Sequence, residues 1–362
     1  MAIGFEPQRW EKIRRDYGAW WDGTLGRPLI HATIGGRDPG RPEPDLPFYG
    51  FVPFYDASVS PEAIVDRWDY HLSTRKFLGD AFPWAWPNYG AGVIAALLGC
   101  RLDPQPAGGT VWFHAPQKRE AKDLHFRYDP DNPWLKHIKT FLRAAVDRWK
   151  GSVQVSMTDL GGNLDILSSF RPGELLLLDL YDCPDEVKRL TWEAHELWMR
   201  YFDEINTVLQ PSNPGYTAWA PIFSEQPYYM LQCDFCYMIS PAMFDEFVKP
   251  ELAATCDRIE HAFYHLDGPG QLPHLDSLLE IETLDGVQWI PGEGSPPISA
   301  WPEVFRKIHA AGKRIQFYGT IADLDTIADQ IGTAERIILI TGGNGPDDEQ
   351  RILEGLERYG AM

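Results

Sequence analysis

The chain predicts an α/β barrel of the (β/α)8, or TIM, type, a single domain over residues 1–362 with an elaborated N-terminal region. Three observations lead there. After residue 150, six strand–helix repeats follow one another at spacings of roughly 20 to 60 residues, and at least one more strand precedes them. Repeated right-handed crossovers of that kind close naturally into an eight-stranded barrel. A length of 362 residues suits one large barrel. No Gly-x-Gly-x-x-Gly follows any apolar run, which leaves the doubly wound open sheet as runner-up.

Residues 7–22 carry Trp10, Ile13, Tyr17, Trp20 and Trp21 at helical spacing. Leu29–Ile34 reads as a first buried strand, and a Pro- and Gly-rich excursion follows it. Ser60-Pro61-Glu62 opens a helix with a capping serine, a first-turn proline and an acid at the positive end. The run 82–90 is an aromatic loop, Val93–Leu98 a short helix, and Gly109–Phe113 a hairpin or edge strand. Asn132-Pro133-Trp134 starts a helix to about Lys150, which closes the N-terminal elaboration of residues 1–150. The regular repeats occupy 151–345. Strands are expected at Ser152–Met157, Tyr216–Ala220, Met230–Asp234, Phe263–His265, Val287–Ile290, Ile315–Tyr318 and Ile337–Ile340, and Leu175–Leu180 is apolar.

Composition excludes several functions. A formal charge of −19 argues against nucleic acid or an anionic membrane surface as partner. No apolar run approaches the roughly 18 residues of a membrane helix, and the N-terminus lacks the basic-then-apolar pattern of a signal peptide. Five scattered cysteines point to reduced thiols and a cytoplasmic location. Fourteen Trp, 15 Tyr and 18 Phe leave room for an aromatic-walled pocket around a small-molecule substrate. Barrels often dimerise, so a homodimer is one expected form, although no stretch marks an interface.

In a barrel the C-terminal ends of the strands meet at one mouth. Those ends supply Asp159, Trp219, Cys233, Asp234, His265, Asp267, Glu293, Tyr318 and Asn344, with Trp86 and Tyr89 from the aromatic loop. His265, Asp267 and Glu293 fall on consecutive strands. They suit either a divalent metal such as zinc or a metal-free acid–base set in which Asp234 or Glu293 tunes the histidine. The bland alternative is that Asp267-Gly268 caps its own loop. Cys233 and Cys236 have redox spacing but no second pair to complete a zinc ribbon. Gly342-Gly343-Asn344-Gly345 resembles a phosphate loop, yet Asp347, Asp348 and Glu349 would occupy the positive helix end and repel an anion.

The segment Ser240-Pro-Ala-Met-Phe-Asp-Glu-Phe-Val-Lys-Pro250, the strand Tyr264-His-Leu-Asp-Gly268 and the turn Thr158-Asp-Leu-Gly-Gly162 resemble the uroporphyrinogen decarboxylase superfamily, which includes corrinoid-linked methyltransferases. The resemblance covers about residues 150–345. It implies a TIM barrel, and a site where the zinc methyltransferases place His-x-Cys, an intervening Glu and a later Cys. His265 and Glu293 match that pattern, Asp267 stands in the Cys place, and Thr341-Gly342-Gly343 offers no cysteine. Neither the decarboxylases' arginine pair nor their catalytic aspartate has a counterpart in 20–27 or 82–89. The resemblance therefore implies a methyltransferase that demethylates a small O- or N-methylated compound towards a corrinoid on a partner protein. A cofactor-free decarboxylase or lyase, or a non-catalytic ligand-binding relative, are its alternatives.

Overall fold

In the computed structural model, which describes residues 3–362, the strands are β1 (Leu29–Gly35), β2 (Lys76–Gly79), β3 (Trp84–Ala85), β4 (Arg101–Gln105), β5 (Thr110–His114), β6 (Gln154–Val155), β7 (Tyr228–Leu231), β8 (His261–Asp267), β9 (Gly286–Ile290), β10 (Arg314–Tyr318) and β11 (Ile337–Asn344). The main sheet has seven strands in the order β2-β1-β11-β10-β9-β8-β7. Six of them run parallel, and β2 pairs antiparallel on the outer edge of β1. β3 and β6 form a separate parallel ladder, and β4 and β5 a hairpin. The hydrogen-bond ladders thus do not close into the expected ring of eight.

Two local effects open the ring. The expected strand 152–157 keeps only two ladder residues, and on its other side it bonds to the bend that follows the long helix Pro184–Leu209. Gln154 Nε2 donates to Gly215 O at 2.8 Å, Asn213 Nδ2 to Val155 O at 2.7 Å, and Met157 N to Thr217 O at 3.1 Å. That bend replaces the expected strand 216–220, since the Thr217 hydroxyl folds the chain back by donating to Ile222 O at 2.7 Å. The apolar run 175–180 lies inside a helix, Glu174–Asp182.

Helix α1 (Arg9–Trp21) buries the five apolar residues that its spacing singled out. Helix α2 (Pro61–Ser73) begins where Ser60 accepts from Ala63 N, and α3 (Ile94–Leu97) is short. Helix α4 (Pro133–Trp149) is capped by the Asn132 side chain, which accepts from Trp134 N and Leu135 N. Helix α5 (Asn163–Phe170) packs against the Asp234–Met238 segment that follows β7. β7 and β9 are buried on both faces, as helix-covered parallel strands require. Near the start of β1 the buried Asp80 carboxylate accepts from Arg27, Lys12 and Ile30 N at 2.8–3.0 Å. A buried charge with every partner supplied suits the end of the sheet opposite the strand C-termini. Among the described residues no helix is long and apolar enough to cross a membrane, and all five cysteines are free.

Candidate active site

The six parallel strands send their C-terminal ends to one side, where parallel α/β proteins carry chemistry. There β8 delivers His265 and, two residues on, Asp267, so both project from the same face of the strand. Gly268 then turns the chain at φ +78°, a conformation that suits glycine, and its amide donates to Ile290 O at 2.8 Å. His265 Nε2 lies 3.9 Å from Asp267 Oδ2.

The third member comes from the neighbouring strand. β7 ends at Leu231, and the chain turns into a short 3-10 segment that begins at Asp234. Asp165 on α5 holds this turn: its carboxylate accepts from Asp234 N at 2.8 Å and from Phe235 N at 2.7 Å. The result is that one ligand atom each from Asp234, His265 and Asp267 lie within 4.8 Å of one another.

His265 is oriented from behind. Its Nδ1 bonds to Gln288 Oε1 on β9, and Gln288 Nε2 donates to Gln316 Oε1 on β10. With Nδ1 engaged, Nε2 faces the carboxylates. Fixing the tautomer in this way is how proteins prepare an imidazole as ligand or base. Trp219 stands edge-on to the same ring, with centroids 4.8 Å apart and planes at 89°.

The surroundings push a proton onto Asp234. Crowding by protein raises the Asp234 pKa; the His265 field opposes this and the Asp267 charge adds to it. Asp234 reaches water, so it sits in a recess where solvent touches the side chain but protein surrounds it. Tyr318 at the end of β10 behaves alike: it is 41% exposed, yet burial pushes its phenol up to about 12. Behind the cluster, burial raises Asp159 to about 7 although Gly161 N, Gly92 N and Gln232 all donate to it. Asp165 is raised as well, by burial and then by the Asp234 charge.

One imidazole and two carboxylates, with no thiolate, form a hard donor set that suits magnesium, manganese, iron or zinc. The metal site expected from the sequence paired His265 and Asp267 with Glu293. Glu293 instead lies exposed in the Gly292–Gly294 loop after β9, and Asp234 takes the third position. Cys233 is fully buried beside Cys236, and burial pushes its thiol up, so it is a packing residue rather than a thiolate. Tyr89 is fully buried, with its hydroxyl 2.8 Å from His137 Nδ1. Trp86 lines, with Trp84, a cavity that none of the three cluster residues lines. Asn344 is exposed at the end of β11, where its amide donates to Asp348 Oδ2 at 2.8 Å.

The residues that sequence reasoning missed are Asp165, Gln288 and Gln316. The glutamines carried a signal, a polar side chain inside an otherwise apolar buried strand. Asp165 carried none, because an acid in the first turn of a helix reads as an ordinary dipole partner.

No protein-family model matches the chain, and no curated protein matches it. Among solved structures, it is similar to an enolase protein from the environmental genome shotgun sequencing of the Sargasso Sea, with 10% identity and a TM-score of 0.25. That match covers 58% of this chain and 52% of the other, so the chain spans about half the length of that relative. It is also similar to macrophomate synthase, with 12% identity, a TM-score of 0.22, and coverage of 62% of this chain and 80% of the other. Likenesses at this level carry no argument about fold or function.

Proposed function

We propose that the chain is a small-molecule enzyme of the uroporphyrinogen decarboxylase-like barrel type, one that demethylates an O- or N-methylated compound towards a corrinoid on a partner protein. The observation that supports this reading is the Asp234, His265 and Asp267 cluster beside Trp219 at the strand C-termini. Transfer of a methyl group breaks the C–O or C–N bond and leaves the electron pair on the heteroatom. The leaving atom then needs a proton or a cation. Asp234, with its raised pKa, holds a proton to higher pH than an ordinary aspartate. His265, fixed by Gln288, presents Nε2 to the same space, and Trp219 supplies an apolar wall. A divalent cation held by the three side chains supplies, when bound, Lewis acidity at the leaving atom in place of that proton. The carboxylate donors suit this better than thiol activation, which zinc–thiolate sites perform.

A decarboxylase or lyase is the second reading. Asp159 and Asp165 favour it, because neutral carboxyls close to Asp234 are a proton supply for a developing carbanion. Incubation with methoxylated arenes and methylated amines plus cob(I)alamin separates the two. Methylcobalamin absorbance, reduced at least 100-fold by His265→Ala, is the expected result. Carbon dioxide release from small acids that survives exhaustive chelation would favour the lyase, and neither product from any compound would contradict both readings.

A further inference from the structure

A cavity of about 330 Å³ lies between β1, β2, β3 and the C-terminal half of α2, and none of Asp234, His265 and Asp267 lines it. Its walls are aromatic: Phe48, Trp68, Phe77, Phe82, Trp84 and Trp86 all line it. The rings are ordered in nearly parallel pairs. Trp84 and Trp86 lie at 11° with centroids 6.4 Å apart, and Phe48 stacks on His71 at 12° and 4.0 Å. An apolar cavity of about 150 Å³ accommodates a benzene ring, so this one has room for a substituted ring.

The one charged group on the wall is Arg75, and no carboxylate lines the cavity. Arg75 bonds through Nη2 to His71 Nε2 at 3.2 Å, and among the described residues it makes no ion pair. His71 adds no second charge: burial, and after it the Arg75 and Arg67 charges, lower its pKa to about 4, so the ring is the neutral acceptor of the Arg75 bond. His31, also on the wall, is 3% exposed, and its Nδ1 has no hydrogen-bond partner. Arg75 thus brings a positive charge to an aromatic cavity whose wall carries no carboxylate to neutralise it. Arg pairs bidentately with a carboxylate, and its neighbouring rings suit a planar ligand.

We infer that this cavity binds a planar aromatic molecule carrying one carboxylate, with the ring among the tryptophans and the carboxylate on Arg75. The site needs no metal and stands whether or not the demethylase reading holds.

Calorimetric titration of the full chain with benzoate, benzamide and cyclohexanecarboxylate tests this. Benzoate is expected to bind at least tenfold more tightly than benzamide, which lacks the charge, and than cyclohexanecarboxylate, which lacks the plane. Arg75→Met should bring benzoate down to the affinity of benzamide while leaving benzamide unchanged, with its melting temperature confirming the fold. Trp86→Ala should weaken benzoate and benzamide together. Benzoate affinity should not change with EDTA, so that failure of a metal at the other cluster leaves this result intact. Equal affinity for benzoate and benzamide, undiminished benzoate binding by a folded Arg75→Met protein, or no binding of any probe at millimolar concentration would overturn the inference.

Discussion

Asp159 shows most clearly how a single residue carries the character of the recess. It is 5% exposed, and burial lifts its carboxyl to about 7 against three hydrogen bonds that favour the anion. The folded state therefore keeps a proton that the unfolded chain gives up near pH 3.9. Between those two values the folded state binds more protons, so stability falls as pH rises, at about 1.4 kcal/mol per unit, and the loss is complete above about pH 7. Asp159→Asn keeps the acceptor oxygen and removes the titration. Urea denaturation from pH 4 to 8 should show the wild type losing a few kcal/mol relative to Asp159→Asn, and parallel curves for the two would contradict the burial account. At this scale the sequence was informative about position and silent about partners. The alternation of β8 placed His265 and Asp267 together, whereas the pairing of Asp165 with the Asp234 turn joins residues 69 apart that no local pattern connects.

At the scale of elements, the turn after β6 is held by backbone approach. Gly161 has φ +71°, and a Cβ there would lie 2.3 Å from Gly92 Cα. Its amide donates to Asp159 and its carbonyl accepts from Trp198 Nε1 at 2.9 Å. Gly173, just before the helix Glu174–Asp182, shares the positive φ, at +62°, but faces open space. Gly161→Ala should cost at least about 2 kcal/mol, from strain and overpacking together, while Gly173→Ala should cost about 1–2 kcal/mol from strain alone. Equal costs in chemical denaturation would mean that the Gly161–Gly92 contact is not close. The helices were legible because their ends carry caps: Ser60 and Asn132 both accept from backbone amides as their sequence context implied. The segments 152–157 and 216–220 were less so. Their composition is that of strands, but side-chain bonds from Gln154, Asn213 and Thr217 take the backbone groups a ladder would use.

For the whole molecule, repeat counting identified a mostly parallel α/β sheet with its strand C-termini on one side, and that is the feature which gathers the site. It did not anticipate that β2 would occupy the edge of β1, or that β3 and β6 would pair apart from the main sheet. Those are consequences of the irregular N-terminal third, where proline- and glycine-rich connections leave hydrophobic periodicity little to report. The acidic surface and the hard donor set point the same way, towards a cation at the mouth rather than a polyanionic ligand. Metal binding by the purified full-length chain, measured by calorimetry with manganese and zinc and by elemental analysis, tests that claim most directly. The account predicts one divalent ion per chain, a loss of affinity of at least 100-fold in Asp234→Asn and His265→Ala, a loss of about 10–100-fold in Gln288→Leu through the freed imidazole, and no change in Glu293→Gln. No binding by the wild type at millimolar metal, or equal binding by folded His265→Ala, would contradict it.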